Sequence, residues 1–165
     1  MRKIISKKSI LWIATVSWMI LIFVLSSQEA TESDGLSLGL VGAIFKFISK
    51  FDGIPAIYTI DSKYLIQIAS IMNFFVRKTA HFMLYAILAV LMYNLASCYI
   101  TKRINAVCIS SLICLLYAVS DEIHQLFVPG RAGQFRDVVI DFSGVLTALL
   151  ITLLFSNYRI KKIKK

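Results

Sequence analysis

Long apolar runs, broken by short polar clusters, set the plan of this chain. Ser9 to Gln28 is an uncharged run of twenty residues. Thr79 to Thr101 is interrupted only by His81, Ile104 to Ser120 carries no charge at all, and Val138 to Tyr158 holds a single acid, Asp141. A helix rises about 1.5 Å per residue, so about 20 apolar residues cross the hydrocarbon of a bilayer. The pattern predicts an all-α polytopic membrane protein with four transmembrane helices.

The basic stretch "RKIISKK" before the first run gives it the look of a signal peptide. The apolar core is too long for that, and no A-x-A-like site follows, so a retained helix is expected. Between the first two runs lie "GLSLGLVGAIFKFISKF" and "SKYLIQIASIMNFFV", apolar but short, with "DGIP" as a turn between them. In the second, Lys63, Gln67, Ser70 and Asn73 recur at helical spacing as a polar stripe. Both are expected as amphipathic helices at the membrane surface. With no repeat and no linker, residues 1–165 form one domain, in which 29–76 is an extracytoplasmic segment.

Composition agrees: 58% of residues are hydrophobic and 16% charged, outside the usual range of soluble domains. The net charge of +9 invites a nucleic-acid reading, but the positive-inside rule explains the distribution of charge better. Segments 2–8, 102–103 and 159–165 hold eleven of the eighteen basic residues, and all nine acids fall on the other side of the four spans. The positive-inside rule then places both termini in the cytoplasm of a multi-pass cell-membrane protein. Three cysteines, Cys98, Cys108 and Cys114, lie in or beside apolar runs without disulfide or metal spacing and read as packing residues.

Four helix ends meet at the outer face in this topology: "SSQ", "RKTAH", "SDEIHQ" and "RDVVID". Arg77, His81 and Tyr85 are four apart and share a helical face. Asp121 aligns with His124 or Gln125, and Asp137 with Asp141 and Gly144. Each residue has two readings. Arg77 and Lys78 are either interfacial anchors or a phosphate clamp. His81 and His124 are either packing and interface residues or proton carriers. Asp121 and Glu122 oppose the helix dipole at a C-terminus, a local cost that marks either a hydrated end or a functional site. Asp137 suits a helix start, and Asp141 is either functional or in a buried salt bridge to Arg77, Lys78 or Arg131. The acids and histidines are also donor types for Mg²⁺, Mn²⁺ or Zn²⁺, so a divalent metal stays open, although no H-x-x-x-H or H-E-x-x-H spacing occurs.

"RKTAHFMLYAIL", followed by "SDEIHQLFVPGRAGQFRDVVIDFSG", resembles the VanZ-like membrane protein family, as does the first-helix exit "FVLSSQ" with Ser33 and Ser37. The likeness runs from about residue 22 to 150. Many relatives have an acid where this chain has Leu84, and Asn where it has Asp141. The resemblance implies a cell-envelope protein of the type named for low-level teicoplanin resistance. It also implies a relation to lipid head-group exchange enzymes such as phosphatidylserine synthases.

Two functions follow. One is a membrane enzyme, a head-group hydrolase or transferase, acting on a lipid phosphate or lipid-linked envelope intermediate. Arg77, Lys78 and Arg131 would bind phosphate, with Asp137 and Asp141 beside them. His81 or His124, positioned by Glu122 or Asp121, would be acid and base, and Tyr85 and Gln125 would orient the substrate. The other is a non-catalytic protein that binds lipid or lipoglycopeptide through the same groups.

Overall fold

The computed structural model describes residues 6–28 and 62–163, with Gly39, Ala43 and Phe47 between them. Four helices are present among the described residues: α1 (Lys7–Ser26), α2 (Ser62–Ala96), α3 (Arg103–Gln125) and α4 (Phe135–Ile163). No strand occurs among the described residues. Each helix contains a stretch long and apolar enough to cross a membrane: Lys7–Ser26, Ser70–Ala96, Arg103–Gln125 and Phe135–Phe155.

The amphipathic stretch 62–76 is helical and runs without a break into the second span, forming one helix of 35 residues. Nothing between Val76 and Arg77 would stop it, since neither Gly nor Pro intervenes. The other expected surface helix, 35–51, lies outside the described residues apart from isolated positions. At α1 the Ser6 hydroxyl caps the first turn by accepting from Ser9 N–H at 3.2 Å.

Packing follows residue size. On α3, Ala106, Ser110, Cys114 and Ala118 are fully buried at intervals of four residues, a small-residue stripe that lets neighbouring backbones approach. One repeat further on, the same face presents Glu122, with Asp121 and Gln125 alongside, all buried. The packing face thus carries the polar cluster inward. The opposite face exposes Leu112, Leu116, Val119 and Ile123, as a lipid-facing surface should. Cys108 is exposed and only Cys114 of the three thiols is buried.

The most extensive contact joins α2 to α4. Tyr85, Leu88 and Ala89 of α2 pack with Val145, Ala148 and Leu149 of α4. Gly144 makes this possible: a Cβ there would stand 2.3 Å from the backbone carbonyl oxygen of Phe82. α1 is tied across the bundle by Trp18 Nε1–H donating to Leu84 O at 2.9 Å and by the Tyr117 hydroxyl donating to Met19 O at 2.6 Å.

The α3–α4 connection turns at Val128–Pro129–Gly130–Arg131. Arg131 N–H donates to Val128 O at 3.1 Å and Gly130 takes φ 73°, the geometry of a type II turn with proline then glycine at its centre. Gly133 lets the loop return against α3, where a Cβ would meet Glu122 O at 2.6 Å.

Candidate functional site

The end of α1, the end of α3, the start of α4 and the early part of the second span lie together at one end of the bundle. Helix α3 reaches Gln125, so the cluster "DEIHQ" is its last turn and a half rather than a tail beyond it. Asp121 is 3% exposed and is fixed through one oxygen. Ser26 Oγ donates to its Oδ2 at 2.7 Å, and Gln125 Nε2 reaches the same atom at 3.5 Å. Asp141 is fully buried; its partner is His81, whose Nδ1 is 3.6 Å from Oδ1, an ion-pair distance. One of the two readings of Asp141 is a buried salt bridge to Arg77, Lys78 or Arg131; the ion pair seen here is with His81. Lys78 pairs with Asp137 instead.

His81, Asp121 and Asp141 form one set, with a donor atom from each lying within 4.8 Å of the others. Tyr85, one turn beyond His81, is fully buried, and its phenol faces Asp121 and Asp141. The shared face of Arg77, His81 and Tyr85 thus runs from the end of the bundle down to this buried trio.

Beside it opens a cavity of about 430 Å³ lined by Ser70, Asn73, Phe74, Arg77, Lys78, Gln125, Gly130, Arg131, Ala132, Gln134 and Asp137. Three cations and one carboxylate face it, leaving an excess of positive charge. Lys78 and Arg136 both lie over the Phe74 ring, at 5.5 and 5.6 Å, and Arg131 is oriented by donating from Nε to Gln28 O at 2.9 Å. Gln125 belongs to both regions: it lines the cavity and touches Asp121.

Two residues in the sequence reading stand elsewhere. Glu122 accepts from Gln134 N–H at 2.8 Å and so braces the loop. His124 stacks on Phe23, ring centroids 4.4 Å apart, with Nε2 3.1 Å from Ser27 Oγ, outside the buried trio. Residues absent from that reading are Ser26, which holds Asp121, and Ser70 and Asn73, which had registered only as part of a polar stripe. Ser26 belongs to the "SSQ" end of the first run, and that placement was its one signal.

The chain is thus a four-span membrane protein with a buried polar site at one end of its bundle. It belongs to the VanZ/LLP1 family, whose model matches residues 11–156. Comparison with curated proteins and with solved structures gave no match.

Proposed function

We propose that this protein binds the phosphate of a lipid head group, or of a lipid-linked envelope intermediate, at the outer leaflet of the cell membrane and acts on it as a head-group hydrolase or transferase. One observation carries the reading. A cavity with Arg77, Lys78 and Arg131 in its walls adjoins a buried His81–Asp121–Asp141 set through the shared Gln125. Arginine donates in a planar fork that matches phosphate oxygens, and lysine adds a point charge. Asp137 holds Lys78 in place. The buried set supplies the reacting end, because ionisable groups sunk in a bundle interior are costly to keep and mark functional positions.

A second reading, a non-catalytic binder, rests on the same cavity. Its size separates two ligands within that reading: pockets of several hundred Å³ suit drug-sized molecules, hence a head group rather than a whole lipoglycopeptide. Any effect on teicoplanin susceptibility would then follow from altered envelope lipid. On this reading both termini are cytoplasmic, and a cysteine placed at position 163 is labelled from the cytoplasmic side only.

The test is native mass spectrometry of the purified protein released from mixed-lipid nanodiscs. Phosphate-bearing lipids should be retained over neutral diacylglycerol, and Arg131→Ala or Arg77→Ala should remove the preference. Equal retention of both lipids by the unaltered protein would overturn the reading. Head-group turnover in the same nanodiscs separates enzyme from binder.

A further inference from the structure

We infer that His81, Asp121 and Asp141 form a binding site for one divalent metal ion that accepts nitrogen and oxygen ligands, of the Zn²⁺ or Mn²⁺ class. Their donor atoms lie within 4.8 Å of one another. Ligands on a tetrahedral Zn²⁺ at about 2.0–2.2 Å stand about 3.3–3.6 Å apart, so the widest pair closes on an ion by about 1 Å of side-chain rotation.

Buried atoms without a hydrogen bond are concentrated in this set, although Glu122 Oε1 and Ser110 Oγ are others. Asp121 Oδ2 is held by Ser26 and Gln125, whereas its Oδ1 has no hydrogen-bond partner. Both oxygens of the fully buried Asp141, His81 Nδ1 and the Tyr85 hydroxyl likewise make no hydrogen bond within 3.5 Å, and they face only members of the same group: His81 Nδ1 is 3.6 Å from Asp141 Oδ1, and the Tyr85 phenol faces Asp121. Buried polar atoms nearly always find partners, and here five of them share one interior region. The arrangement resembles a ligand shell whose outer contacts are already made: Ser26 and Gln125 orient Asp121 and leave one oxygen directed inward.

Charge balance points the same way. Two carboxylates bound to a metal bring two negative charges, and one divalent cation balances both. One imidazole with two carboxylates favours Zn²⁺ or Mn²⁺ over Mg²⁺ and Ca²⁺, which prefer oxygen alone. Three protein ligands leave positions open, as catalytic metal sites do.

This inference deepens the reading of the same site given above, yet its test does not depend on lipid. The full-length protein, purified in detergent and stripped with chelator, is titrated with Zn²⁺ or Mn²⁺, and bound metal is measured after desalting. One equivalent is expected, with a rise in the unfolding midpoint as metal is added. Asp141→Asn, Asp121→Asn and His81→Ala should each weaken binding by at least about 100-fold, beyond the 10–100-fold that outer contacts carry. His124→Ala, which alters the other histidine, should retain the metal. The two Asn variants are nearly isosteric, so a monodisperse elution profile shows that they fold.

Failure of the folded wild type to hold metal above a detergent blank would overturn the inference, as would retention by the Asp141 and Asp121 variants. Preferential phospholipid retention by a protein that binds no metal would leave the cavity reading standing. One bound metal without lipid preference would remove the head-group reading and keep the metal site.

Discussion

The two ends of the bundle use the same four helices and differ in what they bury. At one end the buried groups include Asp121, Glu122, Gln125, Asp141 and Ser26. Towards the other they are Met92, Tyr93, Leu95 and Ala106, and the polar contacts are exposed: Trp12 Nε1–H donates to the Tyr99 hydroxyl at 3.0 Å, with Lys8 4.7 Å from the Tyr99 ring centroid. Stability alone needs only the second kind of end, with apolar packing and aromatic groups at the interface. The carboxylate end adds a cost that packing does not require, and this contrast is what supports the proposed site there.

The largest expected effect breaks the contrast at its centre. His81→Ala or Asp141→Asn should lower head-group turnover by roughly 10²–10⁴-fold with membrane abundance unchanged. Tyr99→Phe at the opposite end should alter turnover by less than about twofold, as surface substitutions do. Comparable losses from both ends would erase the distinction. Next comes Gly144→Val, which drives a side chain into the Phe82 carbonyl and should cost about 3 kcal/mol in a detergent-unfolding titration.

Smaller effects sharpen the picture. Ser26→Ala removes the 2.7 Å donor to Asp121 and should cost about 1.5 kcal/mol, the lower range for a bond to a charged group, since Gln125 remains. A stability equal to wild type would mean that this bond is not formed. Trp12→Phe should cost only about 0.5 kcal/mol, measured in the same titration, because the bond it removes is exposed.

The fold was largely legible in the sequence because a hydrocarbon solvent permits few solutions: length and charge alone delimit four helices. The join of 62–76 to the second span was not legible, because a polar stripe at helical spacing looks alike on a surface helix and on one lining a cavity. Local spacing placed His81, Tyr85 and Arg77 on one face. It left open the choice between His124 and Gln125 beside Asp121, as both follow at helical intervals; the structure has Gln125 there. Pairings across helices, such as Ser26 with Asp121 and His81 with Asp141, depend on helix rotation, which no single helix encodes.

Unbroken α2 is also a depth gauge. Arg77 lies nineteen residues before Ala96, about 28 Å along the axis, close to the roughly 30 Å thickness of bilayer hydrocarbon. His81 sits one turn lower, about 6 Å inside that boundary. With Ala96 at one surface, the proposed phosphate contact at Arg77 would stand at the other, with the buried trio just beneath it. A rigid gauge of this kind matches one bilayer thickness. Longer or shorter acyl chains would move the phosphates off Arg77 by several ångströms unless the helix tilts, so the membrane itself becomes a determinant of what the site can reach.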